Sequence, residues 1–180
     1  QVVLGTVRIF RDLEKVDLHI ALAFPDLYEI GTSHFGMQIL YHLLNQEVNI
    51  AAERVFAPGQ DLETHLRSEN LSLVSLESRT PLSAFDIVGV SLLYELNYTN
   101  ILTILELSNI PFFSRQRDNR HPLVIAGGPC TCNPEPVADF FDAMVIGDGE
   151  RVMLEMTAQW LLWKKAAGDD RNVLLKQWSD

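Results

Sequence analysis

The chain has 180 residues, 47% of them hydrophobic, and a formal net charge of −10 with only 14 Lys and Arg. That length and apolar share suffice for one domain with its own core, so no disulfide or metal staple is required. The acidic balance argues against direct nucleic-acid binding, which needs clustered cations. Cys130 and Cys132, the only cysteines, stand in a Cys-x-Cys spacing that suits neither a disulfide scaffold nor a four-ligand zinc or iron–sulfur site. No apolar run approaches the ~20 residues of a membrane span, and no signal peptide opens the sequence, so a soluble, cytoplasmic protein is expected.

Residues 17–24 mix alternation with a continuous apolar finish at Pro25, which predicts a strand buried on both sides. Ser33 is placed to cap a helix whose Phe35, Ile39, Leu40, Leu43 and Leu44 recur at helical spacing. A second strand is expected over 51–57, followed by a Pro58-Gly59 turn and a helix over 61–69. Residues 73–76 read as a short extra strand, and 86–92, β-branched and apolar, as the third core strand. A helix over 95–109 stops at Asn109-Ile110-Pro111, and the basic group Arg115, Arg117, Arg120 and His121 reads as a solvated loop. Strands four and five are expected at 123–126 and 143–146, joined by a Pro-rich link, with a last helix from about Glu150 to Lys165. Gly168 then breaks the chain before a tail containing Val173, Leu174 and Trp178.

Strands alternating with helices imply a doubly wound, five-stranded parallel α/β sheet, flavodoxin-like if the strand order is 2-1-3-4-5. In that class a ligand sits beyond the carboxyl ends of the strands. The candidate site residues are therefore those at four strand ends. After strand one come Asp26, Tyr28, Gly31, Thr32 and Ser33, in a loop that opens into a helix N-terminus able to hold an anion. After strand three come Ser91, Leu92 and Tyr94, and after strand four Gly127, Gly128 and Pro129, whose small size lets a flat ligand approach the backbone. After strand five come Gly147, Asp148, Gly149 and Glu150, which do not form the dinucleotide fingerprint because Val152 occupies the third glycine place. The alternative for each of these segments is an ordinary turn or cap. No serine elbow, phosphate loop or zinc-protease motif is present, so the strand ends point to a binding role rather than to hydrolysis.

Phe24-Pro-Asp-Leu-Tyr-Glu-Ile-Gly-Thr-Ser-His-Phe-Gly36, Ala126-Gly-Gly-Pro129 with Asn133-Pro-Glu-Pro136, and Gly147-Asp-Gly-Glu150 together resemble the N-terminal domain of a family of uncharacterised radical S-adenosylmethionine proteins. The front domain of that family is cobalamin-binding-like. The resemblance covers roughly residues 17–165 and implies a cobalamin-binding type of flavodoxin-like fold. In the broader cobalamin-binding class, Ser-x-Leu after strand three and Gly-Gly after strand four line the pocket for the nucleotide tail; Ser91-Leu92-Leu93 and Gly127-Gly128 match them here. Base-off members coordinate cobalt through the His of Asp-x-His-x-x-Gly. Here Thr32 stands where that Asp would be, which counts against His34 as a cobalt ligand.

The resemblance further implies a [4Fe-4S] cluster and S-adenosylmethionine in a radical domain whose Cys-x-x-x-Cys-x-x-Cys motif is absent from these residues. Three divisions follow as expectations: an N-terminal extension over 1–16, the α/β domain over 17–167, and a solvent-facing linker over 168–180 leading to the radical domain. This piece alone should not be catalytic. Its function is expected to be presentation of cobalamin to that radical domain, its partner, for a reaction on an unknown substrate. The alternatives are a docking module without cofactor that guides a macromolecular substrate, and a flavin or small-nucleotide binder.

Overall fold

A computed structural model describes residues 11–166 and 168–179. Of the expected extension over 1–16, residues 1–10 lie outside the described residues; Arg11 donates to the carbonyls of Asn45 and Glu47, tying the entry of the chain to the end of a helix. The strands are β1 (Leu18–Phe24), β2 (Ile50–Phe56), β3 (Ile87–Ser91), β4 (Leu123–Gly127) and β5 (Ala143–Val145), all parallel in the order β2-β1-β3-β4-β5. The helices are α1 (Tyr28–Gly31), α2 (Phe35–Gln46), α3 (Gln60–Ser68), α4 (Tyr98–Leu107), α5 (Gly149–Lys165) and α6 (Arg171–Ser179). This is the doubly wound, flavodoxin-like arrangement expected.

The sheet separates two cores because alternate strand residues point to opposite faces. Leu18, Ile20, Leu22, Ile87, Ile125 and Val145 meet Met37, Tyr41 and Leu44 of α2 and Met153, Met156 and Trp160 of α5. On the other face Ala21, Ala23, Val88, Val90 and Val124 meet Leu66 of α3 and Ile101, Ile104 and Leu105 of α4. Between β4 and β5 the chain makes only 3-10 turns, at Pro129–Cys132 and Ala138–Phe140.

Residues 73–76 do not add a strand; a single antiparallel bridge joins Val74 to Pro81. The segment is instead a strap over the outer edge of β2, which explains why every residue of that edge strand is buried. The Leu76 N–H donates to the Arg54 carbonyl at 2.8 Å, and the Arg54 N–H donates to Glu77 Oε2 at 2.7 Å. Glu77 Oε1 also accepts from the Arg54 guanidinium, at 2.8 Å from both Nε and Nη2. Covering an edge in this way removes a template for intermolecular pairing.

A second polar latch holds the strap. Glu53 Oε1 lies 3.0 Å from His19 Nε2, and Oε2 accepts from Ser78 N–H at 3.2 Å and Ser78 O–H at 2.7 Å. Burial pushes the Glu53 carboxyl up, but hydrogen bonds from His19, Ser75 and Ser78 outweigh it and bring it from the ordinary 4.5 down to about 2. A depressed carboxylate means that the unfolded chain takes up the proton first. This contribution to stability is therefore complete above pH 4.5 and is lost as pH falls toward 2. Urea denaturation at a series of pH values should show a shallower acid dependence across that window for Glu53→Gln than for the parent; parallel curves would remove Glu53 from the acid response.

The basic group expected to be a solvated loop is only partly so. Arg117 is buried: its Nε donates to Asp142 Oδ2 at 3.1 Å, and its Nη atoms donate to the carbonyls of Pro111, Phe112 and Phe140. The same Asp142 oxygen accepts from Val124 N–H at 2.7 Å and lies 3.2 Å from Arg171 Nη2. The tail is solvent-facing only in part. It forms α6, with Leu174 fully buried against the α2–α5 core and the Trp178 indole donating to the Met156 carbonyl.

Candidate functional site

A cleft of about 310 Å³ opens at the carboxyl ends of β1, β3, β4 and β5, on the α2–α5 face. Its floor is made by Leu22, Gly89, Ser91, Ile125, Gly127 and Val145, and its opposite wall by Gly36 and Leu40 of α2 and Gly149 and Met153 of α5. Six of the ten glycines in the chain line it: Gly36, Gly89, Gly127, Gly128, Gly147 and Gly149.

Gly89 creates the depth. It sits in mid-strand, paired with Leu22 on one side and Ile125 on the other. Ile87 before it fills the core beneath α5, whereas the missing side chain at 89 leaves a slot between sheet and helices. A glycine inside a strand weakens it and marks a place where something else comes close. Gly127 continues the slot on β4; an added Cβ would meet nothing nearer than the Val145 Cβ at 4.0 Å.

Gly128 has a different reason. Its φ is +114°, and a Cβ there would stand 2.7 Å from the Leu92 carbonyl oxygen. Leu92 N–H donates to the Gly127 carbonyl at 2.7 Å and Cys130 N–H donates to the Leu92 carbonyl at 3.1 Å. The Thr131 hydroxyl reaches the carbonyls of Gly128 and Val145, at 2.8 and 2.9 Å. The turns after β3, β4 and β5 are thereby held together by backbone geometry.

Of the residues expected at the site, Ser91, Gly127, Gly128, Pro129, Gly147, Asp148, Gly149 and Glu150 converge on the cleft. Asp26, Tyr28, Gly31, Thr32, Ser33, Leu92 and Tyr94 are not among its lining residues. Asp26 accepts from the Leu27 N–H, Tyr28 packs edge-on to Phe56, and Gly31 is wedged against the rings of Phe24 and Phe56. The Thr32 carbonyl accepts from Gln38 Nε2, and Leu92 belongs to the core of the opposite face. Ser33 donates to the Ile30 carbonyl and does not cap α2.

The cap is His34, whose Nδ1 accepts the Met37 N–H at 3.2 Å. Residues 28–31 form the short α1, which moves the start of α2 one residue past the expected cap. A backbone N–H can only donate, so Nδ1 keeps its lone pair and the neutral ring carries its proton on Nε2. Burial holds the imidazole below its ordinary value, which favours this neutral form. Binding a metal through Nε2 would require the proton to move to Nδ1 and the cap to break.

No Lys or Arg among the described residues lines the cleft, whereas the carboxylates of Asp148 and Glu150 stand at its mouth. The Ser91 hydroxyl has no hydrogen-bond partner among the described residues. No group of three or more His, Cys, Asp or Glu side chains placed to hold a metal occurs among them. Cys130 and Cys132 are free, the first buried and the second exposed. Among the described residues no helix is long and apolar enough to cross a membrane.

A family model described as radical SAM proteins, N-terminal, matches residues 36–180. The chain is also 25% identical over 145 residues, 79% of its length, to an uncharacterized protein of Methanocaldococcus jannaschii. It spans 27% of that relative's length.

Proposed function

This chain belongs to the family of N-terminal domains of radical S-adenosylmethionine proteins, and on that premise we propose that it is a cobalamin-binding-like module, presenting the cofactor to a radical domain elsewhere in the polypeptide. The slot over Gly89 and Gly127 carries the reading: it is lined largely by apolar side chains and left open by residues that lack side chains. At about 310 Å³ it lies at the lower end of the ~300–1,000 Å³ range of small-molecule sites, so it suits one part of a large cofactor, the base of a nucleotide tail. Leu22, Ile125, Val145 and Met153 would exclude water from that base, and the Ser91 hydroxyl would hydrogen-bond its edge. His34 would fix the start of α2 and leave the metal alone.

When bound, cobalamin supplies a cobalt centre for methyl transfer or another carbon-centred reaction; the cluster and S-adenosylmethionine belong to the radical domain. The dianionic terminal phosphate of a flavin mononucleotide or small nucleotide would meet Asp148 and Glu150 without a cation among the described residues to offset them, a heavier penalty than the single phosphodiester charge of a cobalamin tail. A docking module that had lost its cofactor would be expected to fill the cleft, yet Tyr28, Phe35 and Tyr94 do not line it. Free thiols fit a reducing compartment, which supports action in the cytoplasm.

Calorimetric titration of the full-length protein with hydroxocobalamin should show one saturable site, of micromolar order. Gly127→Leu should weaken it by about 100-fold with the thermal midpoint preserved, because a Cβ at 127 enters open space. Gly128 cannot serve for this test, since a side chain there collides with Leu92 whether or not a ligand binds. His34→Ala should leave the absorbance spectrum of the complex unchanged. Absence of binding by folded protein would favour the docking alternative.

A further inference from the structure

The carboxyl edge of the sheet has a composition unlike the rest of the chain. The strand-end loops, with the helical starts they lead into, are residues 25–36, 57–61, 92–97, 128–137 and 146–150; all 14 Lys and Arg of the chain lie elsewhere. Seven carboxylates stand there, Asp26, Glu29, Asp61, Glu95, Glu135, Asp148 and Glu150. None forms an ion pair among the described residues. The same segments carry seven of the 16 exposed large apolar side chains among the described residues, Leu96 being 91% exposed, Phe35 71% and Ile146 67%. A concentration of exposed apolar side chains within a polar border marks an interaction site.

We propose that this edge is a docking face for a protein surface with an apolar centre and a Lys/Arg-rich border, supplied by the part of the polypeptide outside this chain. The family is one of N-terminal domains, and the chain spans 27% of its relative, so most of such a protein lies beyond these residues. The proposal rests on the reading that the cleft faces the radical domain, and it adds the chemistry of the facing surface. Seven carboxylates along this edge without an ion pair among the described residues, two of them lining the cleft, attract a cationic border and repel a phosphate backbone. An RNA substrate is thereby kept from this edge.

The test uses the full-length protein and a water-soluble carbodiimide, which joins a carboxylate to an amine only where the two are in contact. Mass spectrometry should find Glu29, Glu95 and Glu135 joined to lysines outside residues 1–180, with lower yield in about 1 M salt, where the screening length is roughly 3 Å. Leu96→Asp, at a position too exposed to affect folding, should lower those yields about tenfold. Links only to lysines of this chain or of a second copy would overturn the proposal, as would yields unaffected by Leu96→Asp or retention of RNA through this edge. Cobalamin titration of the same preparation separates the two readings. Binding without these links removes the docking face alone, and links without binding remove the cofactor alone.

Discussion

Asp142→Ala is expected to lower stability by about 3–5 kcal/mol, the range for breaking a buried ion pair by removing one partner. A single carboxylate oxygen serves Arg117, Arg171 and the Val124 N–H. Without it the Arg117 guanidinium, whose side chain is fully buried, stays charged with only carbonyl oxygens around it. The loss also releases the start of α6, because the other contacts of Arg171 among the described residues are the neutral carbonyls of Asp118 and Pro122. Urea unfolding followed by Trp fluorescence should show the midpoint fall, and limited proteolysis should reveal faster cleavage near Gly168. Asp142→Asn, which keeps an acceptor, should be milder. Equal stability of Asp142→Ala and parent would mean that Arg171 and Leu174 do not hold the tail.

Glu77→Ala is the second large effect, again about 3–5 kcal/mol. It takes from the buried Arg54 guanidinium both of its hydrogen bonds to Oε1, and removes the acceptor of the Arg54 N–H. The two changes differ in where the damage falls. Loss of Glu77 should raise hydrogen exchange in the strap and the outer edge of β2, with the cleft end of β3 and β4 unaffected, since Gly89 and Gly127 lie across β1 from that edge. Uniform exchange increases through all five strands would show that strap and sheet open together.

Much of this fold is legible in the sequence because strands buried on two faces read as continuous apolar runs and each is followed by a turn of small residues. The order β2-β1-β3-β4-β5 follows from the alternation of strands and helices, and the cleft lies at the strand ends where such sheets place ligands. What local pattern cannot give is the partner of a charged residue. Arg117 and Asp142 are 25 residues apart, and Arg54 and Glu77 are 23 apart. Either pair looks like surface charge until the chain is folded. Residues 171–179 read as a tail because four apolar residues in nine, three of them consecutive, are a weak periodic signal, and the burial of Leu174 is decided by α5 and by Arg171. His34 lost its capping role to Ser33 in the sequence, as serine is the stronger general capper. The sequence does carry one sign of the slot: Gly89, a glycine interrupting a β-branched run.

The junction of Leu92 with Gly128 bears on how quickly anything can enter or leave. On that side the wall is a lattice of main-chain bonds, clamped again by Thr131, and parting it means tearing sheet ends apart. Across the gap, closure depends on the side chains of Leu40 and Met153, and the Leu40 methyl lies near enough to Gly149 to touch a Cβ placed there. If a ligand enters here, its exchange is expected to follow a lateral swing of α2 against α5, a motion of the microsecond-to-millisecond class. Enlarging Leu40 should lengthen residence time before it alters which molecule is chosen.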